Sequence, residues 1–163
     1  MSWRADDGGI LKRGMQAPRF ELKELAGGRR SLQEMLERGP VLLAFFKVSC
    51  PVCQLTFPFL ERLAKNDAVQ AIGISQDDAT STKAFNDRFG VTFPTLLDEA
   101  AEGYPVSNGF GISSVPTVFV VETDGTISNS IEGFSKRDLD AIGERIHVAP
   151  FRPDEYVPEF KAG

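Results

Sequence analysis

The sequence predicts an α/β domain in which a central mixed β-sheet is flanked by helices. Two apolar runs, VLLAFF (Val41–Phe46) and AVQAIGIS (68–75), are typical of strands buried on both faces. Helical patterns alternate with the predicted strands, as they do in sheets that contain parallel pairs. The dipeptide Asp124-Gly125 separates the last two predicted strands and indicates an antiparallel hairpin.

The N-terminal part of the domain is predicted to be a β-hairpin followed by a short helix. Apolar residues alternate with polar ones on either side of the turn at 27–28, which predicts the hairpin. Ser31 followed by Glu34 forms a capping box, which opens the helix. Gly39 and Pro40 end it.

Three longer helices are expected further along the chain. The first follows Val41–Phe46, because apolar residues recur there at helical spacing: Val52, Leu55, Phe59 and Leu63. Pro51 suits its first turn, where a missing N–H costs nothing. The second is predicted over 80–89, and the third covers SKRDLDAIGERI (135–146).

Length and composition indicate one globular domain at 14–147, with an N-terminal arm at 1–13 and a C-terminal arm at 148–163. A chain of this size hides roughly 70% of its unfolded surface, so it needs no disulfide staples. Thirteen phenylalanines predict an aromatic core. The Pro-rich C-terminal arm carries Phe151, Tyr156 and Phe160, and we expect it to pack on the domain or on a partner.

Charge and hydropathy narrow the classes of partner. The net charge of −5, without a basic face, argues against nucleic acid. No run reaches the ~18 apolar residues of a membrane span. The N-terminal residues lack the apolar segment of a signal peptide, which favours a cytoplasmic protein; a periplasmic or secreted location stays open if a leader has been removed. We expect a monomer or a weak dimer.

Cys50 and Cys53, the only cysteines, allow three interpretations. A structural zinc site needs four ligands, but there is no second cysteine pair and the only histidine, His147, is distant in sequence. A structural disulfide across two residues would remove little entropy from the unfolded chain. A redox pair fits best, because the cysteines lie where a buried strand gives way to a helix.

The position at a helix N-terminus predicts which cysteine reacts first. Unpaired backbone N–H groups and the positive end of the helix dipole favour a thiolate there. Cys50 is therefore the expected nucleophile. Cys53, one turn further on, can reach it and resolve a mixed disulfide.

The order strand–CPVC–helix, with SSVPTVFVV later in the chain, resembles the thioredoxin-fold thiol-disulfide oxidoreductases. The segments GMQAPRFEL and FPTLLDE are similar to the branch that contains the alkyl hydroperoxide reductase–thiol-specific antioxidant (redoxin) proteins. The resemblance spans about 14–146 and implies a thioredoxin-like fold. It also implies that Cys50 and Cys53 are the active pair and that Pro116 is a cis-proline beside them. The backbone of Val115 would then pair with a substrate strand.

The same resemblance implies the partners. The substrate would be a protein thiol or disulfide, an external dithiol would reduce the enzyme, and no cofactor beyond the Cys50–Cys53 disulfide would be bound.

The chain departs from its relatives where they tune the thiols. Ser49 stands where many have Trp, Ala44 where thioredoxins have a buried Asp, and Thr56 where cytochrome-maturation reductases have Glu. Lys47, three residues before Cys50, is a candidate replacement, because a nearby ammonium would favour the thiolate. A solvated lysine at a strand end is the simpler alternative.

Two rival functions stay open at this point. Peroxiredoxins use the pattern P-x-x-x-T-x-x-C, and counting back from Cys50 gives Leu43 and Lys47 instead of Pro and Thr. Peroxide reduction is therefore the alternative activity. Paired thiolates also bind Cu(I), but copper-delivery relatives add a histidine near the VPT segment, which this chain lacks.

Overall fold

The computed structural model describes residues 9–163, and a seven-stranded mixed sheet forms its centre. Residues 1–8 of the predicted N-terminal arm lie outside the described residues. The strands are β1 (Glu21–Glu24), β2 (Arg29–Ser31), β3 (Val41–Phe46), β4 (Gln70–Ser75), β5 (Thr95–Leu97), β6 (Thr117–Val121), β7 (Ile127–Glu132), β8 (Phe134–Ser135) and β9 (Phe160–Lys161). The α-helices are α1 (Leu32–Leu36), α2 (Pro51–Leu63), α3 (Ala79–Phe89), α4 (Pro105–Gly109) and α5 (Lys136–Ile146), and a 3₁₀ turn covers Ala100–Glu102.

The sheet has the order β2-β1-β5-β4-β3-β6-β7. β3, β4 and β5 run parallel, whereas β6 pairs antiparallel with β3 and with β7. The N-terminal hairpin β1–β2 joins the sheet antiparallel to β5. The predicted mixed sheet, flanking helices and N-terminal hairpin are thereby confirmed.

β3 is the central strand, and every one of its six residues is buried. Because successive side chains of a strand point to opposite faces, its two phenylalanines enter different halves of the core. The Phe45 ring lies 5.2 Å from that of Phe110, and the Phe46 ring lies 4.4 Å from that of Phe57. The predicted aromatic core is confirmed. Its rings pack against the end of β3 on both faces of the sheet.

The helices α1 and α5 begin as the sequence predicts. Ser31 caps α1 by accepting a hydrogen bond from the amide of Glu34 and returns one to its carboxylate at 2.8 Å. Ser135 caps α5 in the same way, through the amide of Asp138.

The carboxylate of Asp98 positions α4, a short helix that its sequence pattern did not reveal. It accepts hydrogen bonds from the amides of Val106 and Ser107 at 3.1 and 2.7 Å. Asp98 is fully buried, and its partners are these unpaired donors of the first turn of α4. The acid therefore has a structural role at the end of β5.

The C-terminal arm folds back over its own domain. The guanidinium of Arg62, in the last turn of α2, forms two hydrogen bonds with the carboxylate of Glu155, at 2.5 and 3.1 Å. Phe151 packs against the rings of Phe59 and Phe134, at 4.8 and 6.0 Å. After these anchors, β9 pairs antiparallel with β8.

Across residues 9–163, every helix falls short of the length and apolar character that crossing a bilayer requires.

Candidate active site

Cys50 sits at the junction between β3 and α2, as the sequence predicts. Its backbone is extended and it is the N-cap residue of α2. The Cys50 Sγ accepts a hydrogen bond from the amide of Cys53 at 3.2 Å, so the sulfur itself caps the helix. Pro51 follows as the first helical residue, where no amide hydrogen is needed. The nucleophile candidate therefore faces the positive end of the helix dipole.

A second segment, 115–116, lies beside this sulfur. The peptide bond between Val115 and Pro116 is cis, and the Cys50 thiol donates a hydrogen bond to the Val115 carbonyl at 3.4 Å. The Pro116 carbonyl accepts from the amide of Gly133 at 2.8 Å, which ties this segment to the end of β7. Three of the predicted site residues, Cys50, Cys53 and Val115, are thus joined by direct hydrogen bonds around one sulfur atom.

Cys53 is a buried free thiol, whereas Cys50 is half-buried. Burial is the largest cause that raises the pKa of Cys53 far above its ordinary value, because a thiolate is poorly solvated there. The hydrogen bond with Cys50 raises this pKa further, and the backbone N–H of Lys47 partly opposes the rise. The two thiols therefore lie in different environments, and Cys53 keeps its proton at neutral pH.

At the three positions where relatives keep side chains that adjust the thiol pKa values, this chain has Ala44, Ser49 and Thr56. Ala44 is buried between Gly73 on β4 and Val118 on β6. The Thr56 hydroxyl donates to the Val52 carbonyl at 2.7 Å, inside its own helix. Ser49 is exposed.

Asp77 is a charged group near the thiols that the sequence reasoning missed. Its neighbour Asp78 caps α3, through the amide of Ser81 at 2.8 Å. The Asp77 carboxylate instead accepts a hydrogen bond from the amide of Val48 at 2.8 Å, and its charge contributes to the raised pKa of Cys53. Asp77 lies just past the carboxyl end of β4, which pairs with β3, and this position could have indicated that it lies near the thiols.

Lys47 follows the last residue of β3, and its side chain is exposed. The Lys47 carbonyl accepts a hydrogen bond from the Cys50 amide at 3.2 Å, which shapes the turn between strand and helix. Its predicted effect on the Cys50 thiol stays a prediction. His147 ends α5 in a left-handed conformation with φ 61°, and it is distant in sequence from Cys50 and Cys53.

Within 9–163, no group of three or more His, Cys, Asp or Glu side chains is arranged to hold a metal ion.

In sequence and fold, the chain is similar to known thiol redox proteins. The AhpC/TSA family model matches residues 13–130. The chain is 31% identical over 125 residues to the thiol-disulfide oxidoreductase ResA of Halalkalibacterium halodurans, covering 74% of this chain and 69% of the relative.

Two solved structures share the fold. The thioredoxin domain of a thiol-disulfide oxidoreductase from Bacteroides vulgatus superimposes with a TM-score of 0.73 at 20% identity, covering 83% of this chain and 99% of that one. The peroxidoxin BcpB of Mycobacterium tuberculosis superimposes with a TM-score of 0.68 at 29% identity, covering 83% and 94%. The predicted resemblance and the thioredoxin-like fold are confirmed.

Proposed function

This chain belongs to the AhpC/TSA family and is an oxidoreductase of the thiol-disulfide class, and on that premise we propose that Cys50 attacks and Cys53 resolves a mixed disulfide with a protein substrate. One observation carries the proposal. The sulfur of the half-buried Cys50 lies between the Cys53 amide and the Val115 carbonyl, while the Cys53 side chain is buried. Only Cys50 can meet a macromolecular disulfide.

The reducing reaction begins at Cys50. Its thiolate attacks one sulfur of the substrate disulfide, so that bond breaks, a Cys50–substrate disulfide forms and the other substrate sulfur leaves as a thiolate. The N-terminus of α2 stabilises the negative charge on Cys50 before the attack. The segment before Pro116 lies next to the Cys50 sulfur and offers backbone groups to a substrate strand.

The second step needs the proton of Cys53 to leave. Because burial keeps this thiol protonated, the thiolate released from the substrate in the first step is the natural acceptor. Cys53 then attacks the Cys50 sulfur, the mixed disulfide breaks and the second substrate thiolate departs, taking a proton from solvent. Two electrons have passed to the substrate, and an external dithiol must reduce the Cys50–Cys53 disulfide.

Single serine variants test the assignment of roles. We expect Cys53→Ser to accumulate a mixed disulfide with an oxidised protein substrate, seen by non-reducing electrophoresis and mass spectrometry. Cys50→Ser should form none, and both variants should lose turnover. Ser49→Ala, which alters the adjacent exposed residue and keeps both thiols, is the matched control and should turn over normally. Trapping by Cys50→Ser alone would reverse the roles, and turnover by both variants would refute the proposal.

Peroxide reduction is the second candidate, because the peroxidoxin of M. tuberculosis shares this fold at 29% identity. Against it, Leu43 and Lys47 occupy the positions of the Pro and Thr that orient peroxide, so a hydroxyl is missing there. Hydrogen peroxide consumption by the same variants distinguishes the two activities. Fast, Cys50-dependent consumption without disulfide exchange would favour the peroxidase.

A further inference from the structure

Residues 160–163 lead from β8 to the Val115–Pro116 peptide, and we call them the tail strand. Lys161 pairs with Phe134 and Phe160 pairs with Ser135, and the Lys136 amide donates to the Glu159 carbonyl at 3.0 Å. The tail strand thus occupies the open side of β8, which follows the segment that contacts Pro116.

The tail strand also reaches the residue beside the nucleophile. A methyl group added to Gly163 would clash with the Val115 oxygen and lie 3.3 Å from the Pro116 nitrogen, so the Gly163 backbone lies close to that peptide. The same Val115 oxygen accepts the Cys50 thiol at 3.4 Å. One carbonyl oxygen therefore has the reactive sulfur and the tail strand as neighbours.

The tail strand is held much less firmly than the arm that precedes it. Arg62, Phe151 and the buried Val157 fix the arm through an ion pair and apolar contacts. In contrast, all four residues of the tail strand are exposed, including 59% of Phe160. The tail strand is held mainly by a two-residue β-ladder, and the stability of so short a ladder is marginal in water. It can therefore detach while the arm stays bound.

We propose that the tail strand occupies a docking edge, formed by β8 and Val115, for an extended segment of a disulfide-bearing polypeptide. This proposal rests on the proposed function, since the tail strand would be displaced by the protein substrate of Cys50. A sheet edge pairs with one strand at a time, so tail and substrate exclude each other. The family match ends at residue 130, so the tail strand lies beyond the part of the chain that the family model describes.

The proposal predicts a difference between large and small substrates. A polypeptide disulfide must wait for the edge to open, and its apparent affinity falls by the fraction of time the edge is free. A small aromatic disulfide reaches the Cys50 sulfur without pairing with a strand. Loosening the tail strand should therefore accelerate only the polypeptide reaction.

Two substitutions at one exposed position provide the test. Lys161→Pro removes an amide hydrogen and restricts φ, which disfavours strand pairing, whereas Lys161→Ala removes the same charge and keeps the backbone. We expect Lys161→Pro to raise kcat/KM for insulin disulfides by about fivefold, as release of a mostly occupied site would. Lys161→Ala should match the wild type, and all three proteins should reduce dithionitrobenzoate at the same rate.

Adding the tail strand back as a peptide gives an independent test. A protein ending at Glu159 should show the same gain with insulin, and the peptide EFKAG should inhibit it competitively. A scrambled peptide of the same composition should not inhibit.

Each alternative result has a distinct meaning. Equal insulin kinetics in all variants, or a loss confined to insulin, would overturn the proposal, the loss showing that the tail strand helps to bind substrate. If the wild type reduces neither disulfide while remaining folded, the proposed function fails instead.

Discussion

The carboxylate of Asp77 accepts a hydrogen bond from the main-chain amide of Val48 at 2.8 Å, two residues before the proposed nucleophile Cys50. The Gln54 side chain donates to the Val48 carbonyl at 3.0 Å. Residue 48 is therefore held at both of its backbone polar groups, one from the end of β4 and one from α2. The turn that presents the thiols is thus held from two sides, by Asp77 after β4 and by Gln54 on α2.

Asp77→Asn should lower the pKa of Cys53. The amide oxygen can still accept from Val48, but the negative charge that helps to keep Cys53 protonated is gone. Thiolate absorbance, titrated in a Cys50→Ser background to isolate Cys53, measures the change. Asp78→Asn removes a neighbouring charge that only caps α3, and it should leave the titration unchanged. An unaltered titration in Asp77→Asn would contradict the assigned electrostatic role.

Asp77→Ala should destabilise the fold more than Asp77→Asn does, because it also leaves the Val48 amide without its partner. Asp77→Asn keeps a neutral hydrogen bond to this amide, and loss of such a bond costs about 0.5–1.5 kcal/mol. Urea unfolding of the two variants gives this difference in the free energy of unfolding. Equal stabilities would mean that water replaces the side-chain oxygen of the Asp77→Asn variant as acceptor at no cost.

The reduced protein should lose stability as the pH rises above 9. The ordinary thiol pKa is 9.0, and burial raises the folded-state pKa of Cys53 well above it. Above pH 9 the unfolded chain releases this proton while the folded chain retains it, so unfolding becomes more favourable by up to about 1.4 kcal/mol per pH unit. Cys53→Ala should lack this contribution. Parallel stability–pH curves for the two proteins would contradict the prediction.

Glu155 should make the anchoring of the C-terminal arm sensitive to acid. Its hydrogen bonds with Arg62, and then with the Arg152 amide, lower its pKa from 4.5 to about 2. The stabilisation is therefore complete above pH 4.5 and is lost as the pH falls toward 2. The difference in unfolding free energy between wild type and Glu155→Gln should vanish over that interval. Glu21→Gln removes the exposed ion pair with Arg29, and it should have less effect at neutral pH.

Gly133→Ala should detach the tail strand from β8. A methyl group there would lie within contact of the Lys161 oxygen and 3.2 Å from the Gly163 nitrogen, and φ is +76°. Gly28 has the same φ of +76° with open space around it, so Gly28→Ala carries the backbone strain, about 1–2 kcal/mol, without the clash. Hydrogen exchange at 160–163 should accelerate in Gly133→Ala only. Acceleration in both variants would indicate general destabilisation.

The strands and helices with strong local signals were predictable from the sequence. VLLAFF is buried on both faces and alternates Phe45 and Phe46 between two aromatic clusters, and Ser31 caps α1 as its spacing from Glu34 implies. The Cys50–Cys53 pair at the start of α2 follows from the same local pattern.

The missed features depend on contacts between distant residues. The partner of Asp77 is 29 residues away in sequence, and no periodicity links them. β9 has only two residues and exists because Phe134 and Ser135 offer a free edge. α4 has five residues, and its first turn is satisfied by the buried Asp98. Such elements are too short to have a pattern of their own.

The contact between Gly163 and the Val115 carbonyl has a practical consequence for recombinant work. Any polypeptide joined after Gly163, such as an affinity tag or a fluorescent fusion, starts next to the Val115 carbonyl that contacts the Cys50 sulfur. Reaction rates measured on such fusions would reflect altered access of substrate to the two thiols. Labels are better placed on the exposed hairpin turn at Gly27 and Gly28, where added atoms meet open space.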